Sequence, residues 1–368
     1  MDCNQVLRIA CFITSHGFGH ATRSIAVLNK LAQKENVKLS IFSTLPDWFF
    51  KENFTGIPFA YHHVETDIGL IQKSPFVHDL NLTINRLTNF LTFKKEKIDP
   101  IIQIFEKELF DFIFCDISPL GLHVGNKLKI PTCLLENFTW DWIYESYLSE
   151  NRNFKEPIKR LKKIFERTDL HIQTNPICQP QNHLIQINPI FRPCQQSKEQ
   201  TTRQLGINLN KPIILITTGG IAQKFSFLEK IKKDEKHFYL IIGDYPQIEK
   251  RGNFILLPQK NEFHFPDLIQ LSDGVVGKVG YGTVSEVWGA RKPLIGIFRD
   301  GFRESPPMRK FVKRNIPGFE ISHSSFQQGE WIQKIEQLIN EPKNSAKTIE
   351  NGTEKASLII SKWSKKIL

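Results

Sequence analysis

Short runs of β-branched and aromatic residues alternate along the chain with longer stretches whose apolar positions recur at helical spacing. In the first half, residues 7–14, 37–43, 59–63, 112–115, 132–135 and 170–173 read as strands. Helical patterns lie between them, notably over residues 21–34 and 85–110. A second series opens at residues 212–217 and continues at 238–242, 253–257, 274–276 and 293–297. Strands that alternate with helices predict parallel sheets covered by helical layers, an α/β class. Near Cys178 the pattern dissolves into Pro, Gln and Asn, through Phe191-Arg192-Pro193 to about Thr201, which reads as a connection between domains. The expected architecture is two facing Rossmann-like domains, residues 1–185 and 201–345, joined by a linker over 186–200. Ligands of open α/β sheets bind at the carboxyl ends of strands, so a cleft between two such edges is the expected site. The helical residues 346–368 are expected to pack back on the first domain.

Composition narrows the class without naming it. The 368 residues suit two cores, and 40% hydrophobic with 24% charged residues is ordinary for a globular chain. No stretch approaches the roughly 18 consecutive apolar residues of a membrane span. The apolar N-terminal run has neither a basic leader nor a small-residue cleavage site, so it reads as a strand and a cytoplasmic location is expected. Six cysteines occur without CxxC spacing, and Cys11, Cys115 and Cys133 lie in strand-like runs as small hydrophobes. The net charge of +11 comes without an aromatic-interleaved basic motif or a recognition helix, which argues against nucleic acid. The basic runs 155–167, 230–236 and 362–366 read as solvated helix faces that would also suit diphosphates or a peripheral contact with an anionic membrane.

Four loops carry candidate chemistry. The first is Thr14-Ser15-His16-Gly17-Phe18-Gly19-His20-Ala21-Thr22-Arg23, between a strand and a helix. Its glycines allow a tight turn and close ligand approach. It is neither a dinucleotide fingerprint nor a Walker loop. His20 reads as a general base, and Asp116, ending the strand at 112–115, as the carboxylate that orients it. A hydrogen-bonded turn histidine and a capping aspartate are the plainer readings. The second loop, Thr217-Thr218-Gly219-Gly220, could approach a phosphate through Gly219 and Gly220. In the third, Lys278-Val279-Gly280-Tyr281-Gly282-Thr283 runs from a strand into a helix. There the amides of Gly280, Tyr281, Gly282 and Thr283, with the Lys278 charge, can bind a diphosphate. The fourth, Arg299-Asp300-Gly301-Phe302-Arg303-Glu304, offers Arg303 and Glu304 to phosphate and hydroxyl groups.

The segments SHGFGHATR, CDISPLG, ENFTWDWIYESY and GKVGYGTVSEVWG together resemble the N-terminal, glycosyltransferase-like domain of plant L-arabinokinases and related bacterial proteins. The resemblance runs from about Ile9 to the final helix. The sugar-kinase part of those plant proteins has no counterpart here, and no kinase-type phosphate loop occurs, so kinase activity is not implied. More distantly the order of parts is similar to plant-type UDP-glycosyltransferases and the N-acetylglucosaminyltransferase of peptidoglycan synthesis. That likeness implies the GT-B architecture. It also implies His20 as the base and Asp116 as its support, an acceptor side that includes His16, Gly17, Phe18, Gly19, Arg23 and Trp140, Pro258-Gln259 near the nucleotide base, Glu286 within the donor signature, and Glu304 near donor-sugar hydroxyls. Lys278 stands where those enzymes have a His, Gly282 where they have an Asn and Ser305 where they have a Gln, so sugar preference does not follow.

The expected function is transfer of a sugar from a nucleoside diphosphate sugar, a UDP-sugar, to an acceptor hydroxyl, with inversion. No metal and no cofactor are expected, because helix-terminal amides and Lys278 would stabilise the leaving group. A non-catalytic nucleotide-sugar-binding module, and a nucleotide-sugar epimerase or hydrolase, remain as alternatives. The acceptor is not legible.

Overall fold

The structure is a computed structural model describing residues 6–74, 77–208, 210–220, 223–341 and 349–368. The chain divides into two compact units, residues 1–190 with 351–368, and residues 191–350.

In the first unit β1 (Leu7–Ile13), β2 (Val37–Ser43) and β3 (Phe59–His63) are followed by a small antiparallel ladder of β4 (Gln72–Ser74) and β5 (Val77–His78). Then come β6 (Phe112–Asp116), β7 (Thr132–Glu136), β8 (Leu170–Thr174) and β9 (Ile185–Ile187). Seven of these make a parallel sheet in the order β3-β2-β1-β6-β7-β8-β9. The central strands are apolar almost throughout because helices cover both faces. The helix Phe18–Ala32 buries Ile25, Leu28 and Leu31 in the same core as Ala356 and Ile360 of the C-terminal helix Gly352–Ile367. Lys30 and Lys34 reach Glu354 of that helix at 2.9 and 2.6 Å.

Two helical readings need correction. The pattern over 85–110 is two helices, Leu80–Phe90 and Lys95–Lys107, with Phe93 between them at φ 47. A left-handed residue cannot continue an α-helix, and apolar spacing does not register one. The last helix starts at Gly352, where the Asn351 side chain accepts from the Thr353 N–H, and residues 346–348 of the expected helix lie outside the described residues. The sequence pattern also missed β9, three residues that pair in parallel with β8.

The second unit repeats the plan. Its strands are β10 (Ile213–Thr217), β11 (Phe238–Gly243), β12 (Glu249–Arg251), β13 (Phe254–Pro258), β14 (Gly274–Lys278), β15 (Leu294–Ile297) and β16 (Gly318–Glu320). They form one sheet in the order β12-β13-β11-β10-β14-β15-β16, parallel except for β12. Gly277 is what lets β14 lie so close to β10, since a Cβ there would sit 2.2 Å from the Thr217 carbonyl oxygen.

Strand order says where each sheet can bind a ligand. In the first, the connections run outward from β1 to β2 and β3, then reverse to β6 on its other side. In the second, the same reversal separates β10 from β14. Loops leaving two such neighbouring strands in opposite directions open a crevice at their carboxyl ends. Three of the four candidate loops and Asp116 leave these strands, while the loop 299–304 follows β15 and Pro258-Gln259 lies at the end of β13.

Candidate active site

β1 ends at Ile13, which is in register with Asp116 at the end of β6, so the two loops start side by side. The His16 N–H donates to the Thr14 hydroxyl at 3.2 Å, and the chain turns at Gly17, whose φ of +100 suits glycine. A Cβ on Gly17 would meet nothing within 4 Å, so the backbone angle, not crowding, requires it. The helix begins at Phe18 and places His20 inward, 5% exposed. Its Nδ1 lies 2.9 Å from Asp116 Oδ1.

Asp116 is fully buried and is shared. Arg23 Nε donates to Oδ2 and Nη2 to Oδ1, both at 2.6 Å, and the Ser24 hydroxyl donates to Oδ2 at 2.8 Å. Arg23 Nη1 donates to Asn137 Oδ1, 2.5 Å away, just past β7. His20, Arg23 and Ser24 stand at i, i+3 and i+4 of one helix, the spacing that puts them on one face. Burial alone would raise the Asp116 pKa; Arg23 and His20 outweigh it and hold the carboxyl below the ordinary range. The next residue, Ile117, is β-branched and sits at φ 44, a conformation such residues rarely adopt. Backbone strain of this kind gathers at functional turns.

Two proton arrangements satisfy these distances. With Nδ1–H donating to Asp116, the lone pair on His20 is at Nε2, as a base needs. Arg23 Nη2 is also 3.0 Å from Nδ1; were it to donate there, Nε2 would carry the proton.

The other expected acceptor residues divide. Phe18 is half-buried, stacked on Phe49 with ring centres 4.5 Å apart, and His16 lies edge-on to Trp140 at 5.0 Å. Gly19 is half-buried within the helix. Arg23 must be corrected: it is fully buried and its guanidinium is committed to Asp116 and Asn137. Trp140 is corrected too. It is 1% exposed and its Nε1 donates to Asp67 Oδ2 at 2.8 Å, so it supports the loop from within.

In the second unit the Gly219 N–H donates to the Thr217 hydroxyl at 3.1 Å, and Gln259 Nε2 donates to the Gly219 carbonyl at 2.7 Å. Gly219, exposed Gly220, Pro258 at the end of β13 and Gln259 thus share one edge. Across the strand reversal, Gly280 precedes the helix Tyr281–Gly289, whose N-terminus has no side-chain cap. Gly282 and the buried Thr283 lie in its first turn. Lys278, at the end of β14, is half-buried; burial, then Arg299, push its amine down to about 7, against a smaller opposing pull from Glu304. Arg299 lies 3.8 Å over the Phe302 ring with Nη2 3.8 Å from Glu304 Oε2, and Arg303 beside them is half-buried.

Two donor-side readings change. Tyr281 is buried in the core beneath its helix, so only its backbone can serve a ligand. Glu286 is buried and accepts from Arg192 Nε at 2.7 Å, so its carboxylate answers a buried cation inside this unit. Sequence reasoning did not single out Ser24, Asn137, Asp67 or Arg192, and named Arg299 only as part of its loop. The spacing of Ser24 from His20 was available as a signal; Asp67 and Arg192 meet their partners 73 and 94 residues away and left none. Among the described residues, no three His, Cys, Asp or Glu side chains gather as a metal site.

No protein-family model matches the chain. It is similar to L-arabinokinase of Arabidopsis thaliana, 24% identical over 344 residues, which is 91% of this chain and 32% of that protein. The chain therefore spans about a third of the length of this curated relative. A UDP-glucosyltransferase from Polygonum tinctorium shares its fold with a TM-score of 0.65 at 10% identity, covering 98% of this chain and 99% of that one. TcCGT1, solved in complex with UDP, gives 0.64 at 9% identity over 99% and 100%. MurG of Acinetobacter baumannii gives 0.59 at 14% identity over 97% and 99%. Identities this low speak for fold alone, and the fold they identify, with two seven-stranded α/β sheets each reversing at its candidate loops, is GT-B.

Proposed function

We propose that this chain is a glycosyltransferase that moves a sugar from a UDP-sugar to an acceptor hydroxyl, with inversion and without a metal. One observation carries the reading: a buried histidine bonded to a carboxylate at the strand reversal of a GT-B sheet. The fold alone would not, because folds host many chemistries. In the proposed step, His20 donates from Nδ1 to Asp116 and takes the acceptor proton at Nε2. The acceptor oxygen then forms its bond to the anomeric carbon while the bond to the diphosphate breaks. One displacement inverts that carbon. The leaving diphosphate is stabilised by amides at the Tyr281–Gly289 N-terminus and by Lys278. Neighbours solved with UDP support a uridine nucleotide as the donor's base.

A non-catalytic nucleotide-sugar-binding unit is the second reading, and the 3.0 Å approach of Arg23 Nη2 to His20 Nδ1 favours it. Nitrogen NMR of the His20 ring separates the two: a protonated Nδ1 supports the transferase, a protonated Nε2 the binding unit. We place the protein in the cytoplasm. The helix Lys155–Phe165 turns Ile158, Leu161 and Phe165 inward and Lys155, Lys159, Arg160, Lys162 and Lys163 outward, a face suited to a peripheral anionic surface. No helix among the described residues is long and apolar enough to cross a membrane.

The Lys278 amine gives a pH test of the donor site. With its pKa near 7 in the free chain, it is largely uncharged in mildly alkaline solution, and a diphosphate beside it favours the charged form. UDP binding above neutrality should therefore take up a proton, and affinity should fall by up to about tenfold per pH unit. Calorimetry in buffers of different ionisation heat reads this uptake directly. It should vanish in Lys278→Met; proton uptake that survives the substitution assigns it to another group.

A further inference from the structure

The segment 66–70 braces the end of β1, where the 14–20 loop starts, and the turn that follows Asp116. Thr66 Oγ1 donates to the Ile13 carbonyl at 3.2 Å, and the Thr66 carbonyl accepts from the Ser118 hydroxyl at 3.2 Å. The Gly69 carbonyl accepts from Tyr144 Oη at 2.6 Å. At φ +61, Gly69 lies so close under His16 that a Cβ would be 2.6 Å from Nδ1. At the centre of the segment is Asp67, 5% exposed. It accepts from Trp140 Nε1 at 2.8 Å and from the Thr14 hydroxyl, and Thr14 in turn accepts from the His16 N–H.

Both donors to Asp67 are neutral. Among the described residues no cation pairs with it, whereas Asp116 has Arg23. An amide of the same shape could accept from Trp140 at its oxygen and meet the Thr14 hydroxyl, which can donate or accept, without the penalty of a buried charge. A carboxyl in this place therefore brings something that packing does not ask for, namely a proton that can leave. Asp116 is shared between His20 and Arg23, whose cation offsets part of its charge, so a second carboxylate beside the loop adds to what Asp116 offers a cation forming there.

We propose that Asp67 is a positioning residue for the loop carrying His20, holding it through Thr14 and Trp140, and that its ionisation sets the acid side of the pH dependence of sugar transfer. The inference rests on the reading of His20 as a base. Burial comes first among the causes that raise the Asp67 carboxyl to about 7, with Glu65 and Asp116 adding to it against the two hydrogen bonds. The groups facing it are Glu65 on its own segment, itself paired with Arg86; Asp116 on β6, compensated by Arg23; Tyr144 on the helix Trp140–Glu145; and His16 on the loop. Once ionised, Asp67 presents an uncompensated negative charge behind Thr14, which favours positive charge on the loop as His20 takes its proton. Transfer should therefore rise with pH as Asp67 ionises.

The test follows the Trp140 indole N–H and the Thr14 and His16 amide resonances of the whole chain against pH, beside the rate of UDP release from a UDP-sugar. In the native chain these resonances should titrate together with a midpoint near 7. In Asp67→Asn the indole signal should persist while that titration disappears. The rise of UDP release across the same range should flatten, with the donor KM unchanged to within about twofold. A titration that survives in Asp67→Asn, or superimposable pH–rate profiles, overturns the proposal. If no UDP is released at any pH yet the Asp67-dependent titration still moves the loop amides, the positioning role stands and the proposed transfer fails.

Discussion

Arg23→Met is expected to destabilise the first unit by about 3–5 kcal/mol, the usual cost of removing one partner from a buried ion pair. Both side chains are fully buried, so solvent cannot replace the lost partner. For a unit of this size the loss corresponds to a melting temperature lower by roughly 6–20 °C. The change also has a pH signature. Asp116 is held below its ordinary value of 3.8, so it contributes stability above that pH and loses it as the pH falls through its folded value. Without Arg23, burial dominates and raises the folded value, so acid unfolding should begin at a higher pH in the variant. Replacing both partners, as Arg23→Met with Asp116→Leu, should recover at least about half of the loss, because an apolar pair needs no desolvation of charge. Thermal and acid melts of the three proteins check this. A single variant as stable as the native chain would show that Arg23 is not the partner that keeps Asp116 ionised.

His20→Ala should lower turnover by about 10²–10⁴, the range of positioned proton transfer. In barrier terms this is about 3–5 kcal/mol. Donor affinity should stay unchanged, because Lys278 and the Gly280 turn belong to the other unit. Asp116→Asn should lower turnover too, by disturbing the ring tautomer, and should also cost stability through the unanswered Arg23 charge. A substitution at His20 that changes melting but not turnover would make this a buried histidine held for structure.

What could be read from the sequence follows from what local pattern encodes. The strands recognised from apolar runs are present as strands, because buried parallel strands are apolar on both faces. The loops after β1, β10 and β14 were legible because Gly17, Gly219 and Gly280 mark the turns that follow those strands. Asp116 was legible as a polar residue closing an apolar strand. The partners of these groups were not. Arg23 looked like a ligand-binding cation, and only the pairing of β1 with β6 puts the carboxylate within its reach. Asp67 lies in a stretch with no strand or helix period, and its bond to Trp140 closes over 73 residues. Glu286 sits where a donor contact was expected, yet Arg192 reaches it from the segment read as a linker. Breaks such as the one at Phe93 depend on a single backbone angle that apolar periodicity does not register.

The most direct measurement is release of nucleoside diphosphate from a panel of nucleotide sugars, with EDTA present, by the native chain, His20→Ala and Lys278→Ala. The account predicts EDTA-resistant release from a UDP-sugar, lowered by about 10²–10⁴ in His20→Ala, and weaker donor binding in Lys278→Ala. No binding of any donor, or release that is undiminished in His20→Ala, would contradict it.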